Sequence, residues 1–405
     1  MKSLDDLEVA GRTVLVRADF NVPLADGPDG PDDMKVITDD GRIRAALPTI
    51  TYLRDQGAKV VLIAHLGRAK GERVEGLTLQ PIADRLSELL DADVEVADDI
   101  TGPHARAMVA ALESGDVLLL ENIRFDARET SKVAEEREAL AADLAALGDV
   151  YVSDGFGVVH RNQASVTDVA RLLPNAAGRL VHKEASVFGK IMADPARPFV
   201  VVLGGSKVSD KLGVIGSLIT RVDRLLIGGG MAYTFLAAQG HGVGNSLLEA
   251  DQIDVVRGFI DQAKAKGVEL LLPVDFVIAD AFAADANTEV VAADAIPDGW
   301  MGLDIGPRTR ELFASKIADA GTVVWNGPMG VFEMEPFAGG TLAVARAMAD
   351  SSAITVIGGG DSAAAVRILD VDEDKFTHIS TGGGASLEFL EGKTLPGLAV
   401  LEENA

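Results

Sequence analysis

Short apolar runs alternate with helical patterns along nearly the whole chain. In the first half TVLVRADF (13 to 20), KVVLIAHL (59 to 66), DVLLLENIRF (116 to 125) and DVYVSDGF (149 to 156) predict strands. Between them, TLQPIADRLSELLDA (78 to 92) repeats Ile82, Leu86, Leu89 and Leu90 at helical spacing, and SKVAEEREALAADLAAL (131 to 147) opens with acids and continues in alanine. Acids in a first turn complement the partial positive charge of a helix start. Strands made almost entirely of Val, Ile and Leu are apolar on both faces, so they predict parallel sheets covered on both sides.

The second half repeats the pattern with FVVVL (199 to 203), RLLIG (224 to 228), LLLPVDFVI (270 to 278), TVVWN (322 to 326) and ITVIG (354 to 358), most of which run into glycines. Residues 172 to 198 hold one helical pattern bracketed by prolines. The expected fold class is α/β, with two doubly wound parallel-sheet, Rossmann-like domains over 1–175 and 199–391. A helical hinge over 176–198 joins them.

Composition narrows the class. A chain of 405 residues that is 48% hydrophobic suits a soluble globular protein of two or three domains, and no charge-free apolar run is long enough to span a bilayer. The start, MKSLDDLEVAGR, has acids where a signal peptide needs cations. Without cysteine there are no disulfides, thiolate metal sites or cysteine nucleophile, and the expected location is the cytoplasm. Acidic residues number 62 against 37 basic ones, a formal charge of −25 that repels nucleic acid and anionic membranes. Aspartate-rich stretches such as ADGPDGPDD (25 to 33) fit either an ordinary solvated face or adaptation to concentrated salt.

Against that background the cations stand out. In open parallel sheets ligands bind beyond the carboxyl ends of the strands, and the first half holds Arg17, Asp19, Asn21, His65, Arg68, Arg124, His160 and Arg161 there, with Arg42 in a nearby helix start. Guanidinium forks suit phosphate and carboxylate oxygens, so an anion site is expected. The second half presents glycines instead, in LGGSK, IGGGMAY, WNGPMG, IGGGDS and STGGGAS, which let a backbone approach phosphate closely. Neither GxxxxGK[ST] nor GxGxxG in strand–turn–helix context occurs, which disfavours a P-loop enzyme and a dinucleotide-binding dehydrogenase. Lys207 and Lys211, read as one helical turn apart, would meet a polyphosphate together. Asp361 is a candidate Mg²⁺ ligand on that polyphosphate, or else a helix N-cap. The six histidines have no metal spacing.

These residues resemble the phosphoglycerate kinase family. VRADFNVP (16 to 23), AHLGR (64 to 68), LLLENIRF (118 to 125), LGGSKVSDK (203 to 211), GGGMAYTFL (228 to 236), VWNGPMGVFE (324 to 333), IGGGDS (357 to 362) and STGGGASLEFLEGKTLPG (380 to 397) are similar to that family's motifs, in order, over essentially the whole chain. The resemblance implies reversible transfer of the acyl phosphate of 1,3-bisphosphoglycerate to MgADP, giving 3-phosphoglycerate and MgATP, by direct in-line transfer on domain closure. It implies that Asp19, Phe20, Asn21, Arg42, His65, Leu66, Gly67, Arg68, Arg124 and Arg161 hold the phosphoglycerate. The nucleotide would meet Lys207, Lys211, Gly228, Gly229, Asn326, Gly330, Glu333, Gly359, Gly360, Asp361 and Ser362, with Gly382, Gly383 and Gly384 at a phosphate-stabilising helix start. Asp361 would carry Mg²⁺, and Arg42, Lys207 and Lys211 would stabilise the phosphoryl group in flight. It further implies residues 392–405 packing back on the first domain and a monomer, and the acidity suggests a salt-adapted, archaeal-type member. HRNQAS (160 to 165) departs from other versions of the family in placing Gln163 where they have a second histidine. Two other readings stay open: another two-domain phosphotransferase with a different carboxylate or sugar-phosphate acceptor, and a non-catalytic nucleotide-binding protein.

Overall fold

The computed structural model describes residues 1–27 and 35–403, so residues 28–33 of the acidic stretch lie outside the described residues. The chain divides into two compact units, Met1–Ser186 with Thr394–Ala405, and Val187–Lys393. The division falls inside the helix Arg179–Ala193. Residues 175–177, expected to straddle the start of the hinge, instead form the strand Asn175–Ala177 of the first sheet.

The first unit is built on six parallel strands, Thr13–Arg17, Lys59–Ile63, Val94–Val96, Val117–Leu119, Val150–Ser153 and Asn175–Ala177. Numbered in chain order, they lie side by side as 3-4-2-1-5-6. Val16 pairs in register with Leu62 on one side and Val152 on the other. Parallel crossovers are right-handed, so connections leaving the first strand in opposite directions put their helices on opposite faces. On one of these faces the core runs through Val14, Val16, Val60, Leu62 and Leu119 to Ile43 and Ile50 of the helix Gly41–Asp55 and Ile82 and Leu86 of Gln80–Leu90. The four strands expected from apolar runs are each shorter than the run: 13 to 20 stops at Arg17, and 116 to 125 stops at Leu119 before a 3₁₀ turn at Ile123–Phe125, while Val94–Val96, interrupted by Glu95, and Asn175–Ala177 had no such run. The polar residues at the ends leave the ladder and become side chains of the loops. The C-terminal helix Pro396–Glu403 also belongs here, with Gly397 N–H donating to Val159 O (2.7 Å) and Val400 and Leu401 buried.

The second unit carries six more parallel strands, Phe199–Leu203, Arg224–Ile227, Glu269–Leu271, Thr322–Asn326, Ile354–Gly358 and His378–Ile379, in the order 3-2-1-4-5-6. The order reverses between Phe199–Leu203 and Thr322–Asn326, the crevice where doubly wound sheets bind ligands. The run 270 to 278 is two strands rather than one. Pro273 lacks the N–H a ladder needs; Glu269–Leu271 ends before it in the parallel sheet, and Asp275–Ala279 after it becomes the centre of an antiparallel sheet with Thr288–Ala292 and Met301–Ile305. Among the described residues no helix is long and apolar enough to cross a membrane.

Candidate active site

In the first unit the strand ends gather charge. Arg17 is 1% exposed; its Nε donates to Ser165 Oγ (2.8 Å), one terminal nitrogen to Ala18 O, and the other to His65 Nδ1 (3.3 Å). Arg42, in the first turn of Gly41–Asp55, donates to Asp19 Oδ2 (2.9 Å). Asn21 Oδ1 accepts from Gly67 N–H (2.8 Å) while Arg124 donates to Gly67 O, which ties three strand-end loops together. Burial, followed by the nearby Arg161 and Arg17, brings Arg124 down to about 10. Arg161 is lowered by burial and by the guanidinium groups of Arg17, Arg68 and Arg42, against which Asp19 acts in the opposite sense.

The imidazoles respond to the same field. Burial, reinforced by Arg17, Arg124, Arg161 and Arg42, pushes His65 well below the usual histidine range, and burial with Arg161 pulls His160 down to about 4. Both rings are therefore uncharged at neutral pH. Among the described residues, the buried carboxylates that act on the five arginines Arg17, Arg42, Arg68, Arg124 and Arg161 are Asp19 and Glu129, and burial raises Glu129, so cations outnumber carboxylates in the cluster. Phe20 and Leu66, expected to contact the phosphoglycerate, have their side chains in the core, at 0% and 1% exposure, because the strands' inward alternation continues past their ends through Ala18 and Ala64.

The second unit holds two cavities at its switch point. The first, about 390 Å³, is lined by apolar groups including Tyr233, Leu247, Phe282, Leu303 and Met329, by Gly229 and Gly330, and by Glu333, which is exposed. The second, about 230 Å³, is lined by Gly204 to Lys207, Asp210, Lys211, Asn326, Gly359 to Ser362 and Gly383. They share Gly205, Ser206 and Pro328. A Cβ on Gly229 would fall 2.6 Å from the Gly205 backbone at a φ of +66°, so the loops after neighbouring strands meet only because side chains are missing there. Gly228 lies behind, against the Met329 sulfur, and lines neither cavity; of Gly382 to Gly384, only Gly383 does.

The two lysines are not one helical turn apart on a common helix. Lys207 lies in the loop before the 3₁₀ turn Ser209–Lys211, exposed and with no hydrogen-bond or ion-pair partner among the described residues. Lys211 is the N-cap of Leu212–Leu218, is 8% exposed, and donates Nζ to Asn326 Oδ1. Burial lowers Lys211 to about 8, opposed by Asp210 and Asp361. Both still line the polar cavity. Asp361 is not an N-cap either: Gly359 holds that position for the helix Gly360–Ile368, and Asp361 projects from its first turn, exposed. Asn326 Nδ2 is buried without a partner beside Gly359, a donor left for a ligand. Among the described residues no three His, Asp or Glu side chains gather to hold a metal; the polar cavity offers the carboxylates Asp210 and Asp361, which fits a Mg²⁺ whose other ligands are phosphate oxygens.

The first unit thus gathers arginines at its strand ends, and the second joins a polar, glycine-lined cavity to an apolar slot. The family described as phosphoglycerate kinase matches residues 4–393. The chain belongs to the phosphoglycerate kinase family. It is thus a kinase that transfers phosphate to or from a carboxyl group. It is 59% identical over 406 residues to the phosphoglycerate kinase of Frankia casuarinae and 60% over 409 residues to that of Bifidobacterium longum, covering 99% of this chain and 100% of each relative. Among solved structures, the phosphoglycerate kinase of Coxiella burnetii superposes with a TM-score of 0.85 at 39% identity, covering 100% of this chain and 99% of that one. That of Pyrococcus horikoshii gives 0.84 at 36%, with both chains fully covered. The relatives near 60% identity are bacterial and the archaeal structure is more distant, so the expectation of an archaeal-type phosphoglycerate kinase finds no support.

Several groups have no signal in the sequence. Phe282 and Leu247, 62% and 57% exposed, line the apolar cavity, and large apolar side chains left in solvent mark a ligand surface. Asp154, one residue past the strand Val150–Ser153, is buried, accepts from Leu180 N–H (3.0 Å) through Oδ1, and leaves Oδ2 without a partner among the described residues. Burial raises it to about 8. The folded state then keeps a proton that the unfolded state releases near pH 4, so this contribution to stability is lost as pH rises from about 4 to 8. Asp154→Asn is expected to flatten that decline in thermal unfolding, with the two proteins' midpoints diverging toward pH 8. An unchanged pH profile would remove the buried proton from the account.

Proposed function

We propose that the chain catalyses reversible transfer of the acyl phosphate of 1,3-bisphosphoglycerate to MgADP, giving 3-phosphoglycerate and MgATP. The observation that carries this is a cluster of five arginines at the strand ends of one unit and, in the other, a polar cavity opening onto an apolar slot. In this reading Asp19, Asn21, Arg42, His65, Arg68, Arg124 and Arg161 hold the phosphoglycerate. The base enters the slot between Leu247, Phe282, Leu303 and Met329, Glu333 meets the ribose, and Lys211, Asn326 and the Gly359–Ser362 turn hold the phosphates. Asp361 holds Mg²⁺, which neutralises phosphate charge when bound.

No side-chain nucleophile is needed. A terminal oxygen of ADP attacks the acyl phosphorus, the bond to the carboxylate oxygen breaks, and the carboxylate leaves. Positioning and charge neutralisation by Arg42 and Lys207 supply the rate. Because the two sites belong to different units, the reading requires them to approach during turnover, with the helix Arg179–Ala193 as hinge. The lack of cysteine supports a cytoplasmic location, and the charge of −25 argues against nucleic-acid or membrane partners; we assign a monomer.

The test is NADH-coupled turnover of MgATP with 3-phosphoglycerate. Turnover is expected with this acceptor; turnover with another carboxylate or sugar phosphate alone would overturn the assignment. Anionic substrates must approach an acidic surface, so kcat/KM is expected to rise several-fold from dilute buffer to about 1 M KCl. A monotonic fall with salt would refute the salt-adapted reading.

A further inference from the structure

Glu129 sits in the 3₁₀ turn Ala127–Thr130 with no exposed surface. Its two oxygens accept from one residue: Oε1 from the Ser165 hydroxyl (2.6 Å) and Oε2 from Ser165 N–H (2.9 Å). With the hydroxyl hydrogen committed to Glu129, the Ser165 oxygen has only lone pairs left, and Arg17 Nε–H occupies one of them at 2.8 Å. A guanidinium is planar, so fixing Nε on Ser165 and one terminal nitrogen on Ala18 O fixes the other, which points at His65 Nδ1 at 3.3 Å.

Arginine has donors and no acceptor, so Nδ1 must accept. The other neighbour of Nδ1, Asp19 Oδ1, lies at 4.0 Å, too far for a hydrogen bond. A neutral ring whose Nδ1 accepts carries its hydrogen on Nε2, and burial among four guanidinium groups keeps the ring neutral. We propose that Glu129 is a positioning residue that acts through Ser165 and Arg17 to hold His65 in the Nε2–H form, an uncharged donor among charged ones. The inference rests on the arginine cluster being the phosphoglycerate site.

Two variants test the relay. Ser165→Ala deletes the hydroxyl and keeps the backbone N–H that Glu129 accepts, and Glu129→Gln keeps the shape but cannot accept from both Ser165 donors. Two-bond ¹⁵N–¹H spectra of the histidine-labelled full chain at pH 7, with His65 assigned by loss of its signals in His65→Gln, read the tautomer directly. The wild type is expected to show Nε2–H alone, and both variants a mixture with Nδ1–H. KM for 3-phosphoglycerate is expected to rise roughly 5- to 10-fold, the size of one lost hydrogen bond, with KM for MgATP unchanged. Nδ1–H in the wild type, or an unmoved tautomer in Ser165→Ala, overturns the relay. Arg42→Ala separates the two claims: no change in its KM for 3-phosphoglycerate would overturn the site assignment while leaving the tautomer measurement intact.

Discussion

Lys207→Ala is expected to lower kcat by 10²- to 10³-fold, about 3–4 kcal/mol, with the unfolding midpoint unchanged. The structure separates the two quantities. Lys207 is exposed, has no partner among the described residues and caps nothing, so truncating it costs the fold no contact. Its charge nevertheless borders the polar cavity alongside Lys211, Asp361 and the glycine turns. A cation placed where charge redistributes during phosphoryl transfer acts on the transition state more than on either bound substrate, so KM should move far less than kcat. Lys211→Ala should behave differently: it removes a buried group bonded to Asn326 at a helix start, and stability should fall with activity. Steady-state rates in both directions with thermal unfolding of both variants check this. A Lys207→Ala enzyme within about threefold of wild type would take this lysine out of the mechanism.

How far the sequence reached can be judged from these same residues. Most of the parallel strands were legible because they are apolar on both faces, while Val94–Val96, Asn175–Ala177 and His378–Ile379 lack such a run and were missed; the candidate site's location was read from where Val/Ile/Leu runs give way to Arg17, Asp19 and the glycines. That Lys207 lies outside the helix was not legible, since SKVSDK has no feature separating a 3₁₀ entry from an α-helical one. Pro273 marked the break between two strands, but the antiparallel sheet beyond it depends on pairing with Thr288–Ala292 and Met301–Ile305, and residues 270 to 278 carry no sign of that. The swap of Val94–Val96 and Val117–Leu119 in the first sheet's order is equally non-local. Glu129 and Asp154 were overlooked for a related reason: a carboxylate in a polar stretch reads as solvated unless the distant arginines or helix ends that surround it are known. Phe20 shows the opposite limit, a motif position whose side chain serves the core.

Gly327→Ala is expected to destabilise the protein by about 3–4 kcal/mol and to weaken MgATP binding at least 100-fold. Gly327 has a φ of +95°, and a Cβ there would stand 2.3 Å from Gly204 O and 2.5 Å from Gly204 C. Those are backbone atoms of the neighbouring strand's loop, with no flexible end to swing aside. The two loops are stitched at this point: Gly204 N–H donates to Asn326 O (2.9 Å), Gly205 N–H to Pro328 O (2.9 Å), Gly327 N–H to Ser362 Oγ (2.7 Å) and Trp325 Nε1–H to Gly327 O (2.7 Å). Relieving the clash separates the loops, breaks this set and displaces Gly204 to Lys207 from Asn326 and Pro328, the groups that line the polar cavity. Gly205→Ala supplies the comparison, because Gly205 also has a positive φ, +105°, but nothing within 4 Å of its would-be Cβ. It should cost only the conformational penalty, about 1–2 kcal/mol. Thermal unfolding of both variants and calorimetric titration with MgATP decide the matter: equal losses in the two would mean that backbone conformation alone, and not the close approach of the two loops, requires glycine at the switch point.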